Sequence, residues 1–488
     1  SFENGMYVEG FITLEAKSGT DINMNGVTDA VDVVATKKAL GASSSDLLFD
    51  IDRDNNVTAT DTAVLRAKLL GDEIVTVAGE NIATYTVESG AQASFMTARA
   101  TESLVETIEG FSNGATKTSS DKKIIVGISS IDESVLKTAA LENITGVNGD
   151  VYGLNDYKIF LKDGNVYIEA GSDYATAFAV NKFVNYLKVY KMIPASFVLS
   201  GKYNNEKDVL DGYSYVWGDE FNSATLNTNK WWITAERDDE IGPVYSKTNE
   251  YYIASKFNGT YGGPWTGLNE PKEGVIKRPN IEGEDYYLND GLLVMNTRKT
   301  DKGYTAVRLN GTNQFKYGIM TARVKLATKN GACSTLWARS NDDNGASVNE
   351  LDFVENFGMD KIVPNLHTWN NYSDDTNHAN DIEDCSQVLT PAEGESFSDS
   401  FHDIALYWTS EKIVFYFDGV AYLDLDITAD PEKWEAFHKT THMVMGISAP
   451  SKYYAISSGG KNPGDYLGEL VNSFSENMYI DYVRVFQK

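Results

Sequence analysis

Between Asn349 and Asn356 the chain reads Glu350-Leu351-Asp352-Phe353-Val354-Glu355, three carboxylates within six residues of otherwise apolar, strand-like text. A strand sends successive side chains to opposite faces, so Glu350 and Asp352 share one face. Strict alternation turns Glu355 the other way, into the opposite layer, where an unpaired carboxylate is costly. One extra residue bulging out at Phe353 or Val354 resets the alternation and returns Glu355 to its partners. Leu351, Phe353, Val354 and Phe357 are apolar, which argues for a central strand over a solvated acidic one. The segment thus demands a sheet with a core on one side and three acids on the other.

The surrounding text fits that demand. From about Tyr213 onward, short alternating runs such as GLLVMNTRK, YGIMTARVKLA, IVFYFDGVAYLDLD and MYIDYVRVF are separated by Gly, Asn and Asp turns. Many short strands with turn signals predict an antiparallel sandwich, and the size suits a jelly roll with a concave, aromatic-lined face. At 488 residues the whole chain is too long for one ordinary domain. Asp+Glu number 70 against 42 Lys+Arg, a net charge of −28 that repels nucleic acid and anionic lipid; neither is expected as a partner. No apolar run approaches a membrane span. The opening Ser1-Phe2-Glu3-Asn4-Gly5 lacks a basic segment followed by an apolar stretch, so a signal peptide is expected to be either removed or absent. Cys333 and Cys385 form neither a disulfide framework nor a zinc pattern, and whether they are bridged stays open.

Two segments near the amino terminus repeat each other. Asp21, Asn23, Asn25, Asp29 and Asp32 occupy positions 1, 3, 5, 9 and 12 of one loop; Asp50, Asp52, Asp54, Thr58 and Asp61 occupy the same positions of the second. Each loop precedes a helical pattern, VVATKKALG or TAVLRAKLLG. Oxygen side chains at this spacing wrap a calcium ion. Position 6 needs a left-handed backbone, supplied by Gly26 and, next most tolerantly, by Asn55. The repeats resemble dockerin modules over about residues 18–74, with Asn25 and Asn55 departing from the usual Asp and Gly. That resemblance implies two bound calcium ions, with room for one more on the sandwich, and a cohesin module of a scaffold protein as partner. A calcium-dependent structural clip is the competing reading.

Residues from about 76 to 205 read as an α+β domain. Helical AQASFMTARATESLVETIEGF precedes strand-like KKIIVGI; DYKIFLK and NVYIEAG are joined through Asp163-Gly164, a hairpin signal; ATAFAVNKFVNYLKVY closes with a helix. The order is similar to the small domain preceding the catalytic barrel in hexosaminidase-like and glucuronidase-like enzymes, and a spacer or packing role is expected. The expected division is a small α, dockerin-like calcium module over 1–75, an α+β accessory domain over 76–208 and an all-β jelly-roll sandwich over 209–488.

The last of these resembles glycoside hydrolase family sixteen, in the branch whose catalytic strand reads E-x-D-x-x-E. YVWGDEFNSATLNTNKWW, FKYGIMTARVKLATKNGACSTLWA, FHDIALYWTSEKIVFYFDGVAY and MYIDYVRVFQ carry the likeness beside the acidic strand itself. The resemblance implies Glu350 as nucleophile, Asp352 as assisting acid and Glu355 as general acid/base. Retaining hydrolysis needs two carboxyl groups about 5–5.5 Å apart, and a third between them raises the acid by like-charge repulsion. Trp337 matches an aromatic platform. Asn249 and Glu250 in TNEYY, Arg308 in YTAVRLNG, and His367 and Trp369 in NLHTWNN match substrate positions. Trp369 can equally pack the core and His367 can be a satisfied histidine; Trp217, Trp231, Trp232 and Trp408 are expected in the core.

The bulged motif is shared by enzymes acting on β-1,3-glucans, mixed-linkage glucans and several galactans, while E-x-D-x-E is typical of lichenases and xyloglucan-active enzymes. A secreted, extracellular or cell-surface endo-β-1,3(4)-glucanase, retaining and needing no metal for the chemistry, is the leading expectation. KYYAISSGGKNPGDYLGEL and GTYGGPWTGLNEPKEG depart from the usual text. They keep an endo-β-galactanase or mucin-type glycan hydrolase open, and a non-catalytic carbohydrate-binding protein is the alternative outside catalysis.

Overall fold

The structure is a computed structural model that describes residues 22, 30–41, 65, 75–90, 93–111, 121–128, 144–205, 207, 209–234, 250–253, 276–279, 282–298, 304–305, 307–328, 332–340, 348–356, 358–369, 387–448 and 475–488. These fall into two compact units, one drawn mainly from residues through Asp211 and one from Gly212–Lys488.

In the first unit a helix spans Ala30–Gly41. The Asp32 carboxylate, fully buried, accepts the Ile22 N–H at 2.8 Å, so the end of the first repeat is tied to its beginning. Ile22 packs against Leu65 of the second repeat. Asp32 is the one expected calcium ligand among the described residues; Asp21, Asn23, Asn25, Asp29, Asp50, Asp52, Asp54, Thr58 and Asp61 lie outside them.

Further along, a five-stranded sheet runs in the order Val198–Lys202, Asp156–Lys162, Asn165–Ala170, Lys123–Val126, Thr86–Ser89. The predicted hairpin closes with Lys162 opposite Asn165, and Asp163 and Gly164 hold φ of 52° and 79°, the left-handed pair that a two-residue turn requires. The helix Asp173–Tyr190 begins where the Ser172 hydroxyl accepts the Ala175 N–H, and its apolar face is buried from Tyr174 to Leu187.

The second unit is a jelly-roll sandwich of an eight-stranded and a six-stranded antiparallel sheet. The six-stranded sheet holds the acidic segment. Its strands are β1 (Trp231–Thr234), β2 (Val307–Gly311), β3 (Cys333–Arg339), β4 (Val348–Glu355), β5 (Val363–Trp369) and β6 (His442–Ser448), in the order β1-β2-β6-β3-β4-β5. One face is apolar because alternate residues are: Val307 and Leu309, Leu336 and Ala338, Leu351, Leu366, Met443, Met445 and Ile447 join one core. Facing them are Met320, Ile404, Leu406, Trp408, Phe415, Ile480 and Val483 of the other sheet. Trp217, Trp231 and Trp408 lie in this core as expected, with Trp231 Nε1 donating to Asp219 at 2.9 Å and Trp408 Nε1 to the Phe437 carbonyl at 3.0 Å. The Trp232 side chain lies outside the described residues, as does Cys385, while Cys333 is buried on β3. Outside the acidic face, the described residues of the sandwich gather no group of three or more His, Cys, Asp or Glu that could hold the further calcium.

Candidate active site

The parity conflict in β4 is resolved by a bulge. Against β3 the register runs Arg339–Glu350, Ala338–Leu351, Trp337–Asp352, then jumps to Leu336–Val354 and Thr335–Glu355. Against β5 it shifts between Asp352 and Glu355 as well. Phe353 is therefore the extra residue, and Phe353 and Val354 both enter the core, each fully buried. A bulge leaves a backbone carbonyl outside the ladder; here the Tyr422 hydroxyl, from the opposite sheet, donates to the Phe353 carbonyl at 3.1 Å. Just past the strand, fully buried Asn356 accepts from Ser334 N at 3.0 Å and donates to the Ala327 carbonyl at 2.6 Å, which locks this end of β4 to β3.

With the bulge in place, cross-strand pairing lays the polar face out in three rows. His442, Arg339, Glu350 and His367 form one; Val444, Trp337, Asp352 and Asn365 form the next; Arg308, Gly446, Thr335, Glu355 and Val363 form the third. The carboxylates step down β4: Glu350 lies between Arg339 and His367, Asp352 between Trp337 and Asn365, and Glu355 between Thr335 and Val363. Asp352 and His367 form an ion pair, Nε2 to Oδ2 at 3.3 Å, and one polar atom from each of Glu350, Asp352 and His367 lies within 4.8 Å of the others.

Burial sets the protonation pattern. Asp352 is 2% and Glu355 7% exposed. Desolvation first, and then the charge of Asp352, pushes Glu350 up to about 7, with His367, Arg339 and Arg308 pulling the other way. Glu355 is raised well above the ordinary range by burial, by Asp352 and by Glu350, opposed by His367 and the hydrogen bond with Asn365. Burial alone would neutralise His367, but the Asp352 hydrogen bond and the three carboxylates lift it to about 10, so it stays imidazolium near neutral pH. His442 is its opposite: burial, Arg339 and Arg308 drive it down to about 3, and it is a neutral imidazole. Such a site can hold one carboxyl ionised and one protonated near pH 7, the requirement for nucleophile and acid on one strand.

The other expected residues divide. Arg308 and Trp337 are on the same face, but Trp337 is only 8% exposed and the Arg308 guanidinium lies 4.6 Å from its ring centroid, so a cation occupies the ring. Glu250 belongs to a three-stranded sheet of Glu250–Ile253, Ile276–Pro279 and Tyr304–Thr305, outside the six strands, and Trp369 ends β5; neither side chain is among those described, and Asn249 lies outside the described residues. Arg339, His442 and Asn365 were not anticipated from sequence. Arg339 carried a readable signal, being two residues from Trp337 on an alternating strand.

Two parts of the chain match known protein families. The family described as glycosyl hydrolases family 16 matches residues 278–466, and the dockerin type I domain matches residues 19–70. Glucan endo-1,3-beta-glucosidase A1 of Niallia circulans is 24% identical over 299 residues, covering 57% of this chain and 38% of that protein. Endo-1,3-1,4-beta-glycanase ExsH of Rhizobium meliloti (strain 1021) is 25% identical over 299 residues, covering 59% and 52%. The chain thus spans about a third to a half of the length of the curated relatives it matches. The solved laminarinase catalytic domain of Thermotoga maritima MSB8 aligns at 19% identity with a TM-score of 0.38, over 57% of this chain and 98% of that one. The segment that matches glycosyl hydrolases family 16, residues 278–466, holds Glu350, Asp352 and Glu355, and residues 19–70 match the dockerin type I domain.

Proposed function

We propose that the chain is an endo-acting, retaining β-glycanase that cleaves β-1,3- or mixed β-1,3-1,4-glucan and is carried on a cohesin-bearing scaffold outside the cell. The observation that carries the reading is the bulged β4, with Glu350, Asp352 and Glu355 on the polar face and Leu351, Phe353 and Val354 in the core. In this mechanism ionised Glu350 attacks the anomeric carbon while protonated Glu355 gives its proton to the departing glycosidic oxygen. Glu355, now ionised, then takes a proton from water, whose oxygen displaces Glu350 from the glycosyl ester. Asp352 lies between the two, fixed by His367, and its charge favours the protonated acid.

The names of the relatives support a glucan as substrate. The test is a polysaccharide panel of laminarin, barley glucan, β-galactan and mucin glycan, with product chromatography and anomeric NMR of the first product. A ladder of glucan oligosaccharides released as the β-anomer is expected. Products from β-galactan or mucin alone would transfer the reading to those glycans, and binding without cleavage of any polysaccharide would overturn catalysis.

Cohesin binding is expected in calcium and not in chelator, with the helical circular-dichroism signal falling on chelation. Helix loss without binding to any cohesin would make the repeats a calcium clip. The Asp32–Ile22 bond supports a loop that closes on itself, so Asp32→Ala should weaken calcium binding by at least about tenfold.

A further inference from the structure

Two negative charges must be held side by side on β4 for the proposed chemistry, and each needs a cation. Asp352 has His367. For Glu350 the groups within reach are Asp352 and Glu355 on its own strand, His367 on β5, Arg339 on β3, and Arg308 and neutral His442 beyond. His367, opposite Glu350 on β5, acts on it but is ion-paired with Asp352, and Arg308, three strands from β4, lies against the Trp337 ring. Arg339 is directly opposite Glu350 on β3, as His367 is on β5, and it is only 5% exposed.

The pairing is built rather than incidental. One residue beyond it, Ser340 N donates to the Asn349 side chain at 2.8 Å, Asn349 N donates to the Ser340 hydroxyl at 2.9 Å, and Asn349 Nδ2 donates to the Ala436 carbonyl at 2.8 Å. This clamp fixes β3 against β4 at the Arg339–Glu350 step. It also ties both strands to the turn Glu435–His438, whose one carboxylate, Glu435, is exposed. On the far side Arg339 meets His442, a neutral imidazole that places no second charge beside the guanidinium, which lies 5.8 Å from the Trp337 ring centroid.

We propose that Arg339 is a positioning residue for the reaction, holding the Glu350 carboxylate ionised and in place from across the strand without touching substrate. This rests on the reading of Glu350 as nucleophile. Glu355 has no arginine opposite it; its cross-strand neighbours are Thr335 and Val363. A cation beside one carboxyl and not the other is the asymmetry that separates nucleophile from acid.

The test compares Arg339→Gln and Arg339→Lys with the parent full-length protein, in calcium, on laminarin. Removing the cation makes Glu350 harder to ionise, so the acidic limb of the kcat/KM profile should move to higher pH. A shift of about one unit, or about tenfold in rate on that limb, is expected for Arg339→Gln, with little change in KM. Arg339→Lys should hold the limb near the parent position. A uniform loss at all pH values, or equal profiles for the Gln and Lys variants, would overturn the proposal. If the parent cleaves no glucan, the catalytic reading fails on its own. The carbon-13 titration of the Glu350 carboxyl, assigned with Glu350→Gln, then still decides, since it too must move upward in Arg339→Gln and not in Arg339→Lys.

Discussion

Glu350→Gln is expected to lower reducing-end release from laminarin or barley glucan by about 10⁴-fold or more, the scale of losing a covalent nucleophile while binding and the acid remain. The amide keeps the shape of the side chain on a buried sheet face, so folding should survive. Stability should change with a definite sign. Burial and Asp352 raise Glu350 to about 7 in the folded protein from an ordinary 4.5, so the parent loses stability as pH rises from 4.5 through 7 and the carboxyl is forced to ionise. Glu350→Gln does not carry that cost. Its thermal midpoint should therefore exceed the parent's above pH 7 and converge with it below pH 4.5. Glu355→Gln separates the roles: with an aryl glycoside whose leaving group needs no proton, the first step should persist, whereas Glu350→Gln should abolish it. Retention of more than about 1% activity by Glu350→Gln on either glucan would remove it from the nucleophile's position.

The sequence made the fold of β4 legible because a strand's period of two is unforgiving. Glu355 had the wrong parity for a buried strand, the least costly remedy was one extra residue, and the register shift falls at Phe353 and Val354. The family resemblance pointed to Arg308 and Trp337, and both share the polar face by register. It could not show what they meet there. Trp337 was expected to offer an open ring, and Arg308 lies over it because β6 inserts between β2 and β3 at a spacing that lets the guanidinium reach across. The pairing of His442 with Arg339 was hidden for the same reason, although Arg339 itself lay two residues from Trp337 on an alternating strand. Residue 442 follows residue 339 by about a hundred positions, and only the crossover that seats β6 beside β3 makes them neighbours. The dockerin repeats, by contrast, were readable because each is local in sequence, and the bond from Ile22 to Asp32 is a contact within one repeat.

Shortening β4 by one residue should give opposite outcomes depending on which residue is removed. Deleting Val354 takes out the extra count. Phe353 then pairs with Leu336, Thr335 keeps Glu355, and the strand reads E-x-D-x-E with its three acids still on the polar face. The loss is one fully buried valine side chain, about 1.5–3 kcal/mol, and a carbonyl that Tyr422 must reach anew. That variant should fold, with a lowered melting temperature and activity within about 10²-fold of the parent, the scale of a reacting group displaced by about an ångström. Deleting Leu351 leaves the bulge and breaks the alternation between Glu350 and Asp352, so one of them must turn into a core formed by Leu336, Leu366 and Phe415. Burying that carboxylate costs several kcal/mol, enough to exhaust the stability of a domain of this kind. This variant should be recovered only in the insoluble fraction, or as soluble protein without a cooperative unfolding transition. If the Val354 deletion is the one that fails to fold and the Leu351 deletion stays active, the acids do not share one face and the bulge does not set their alignment.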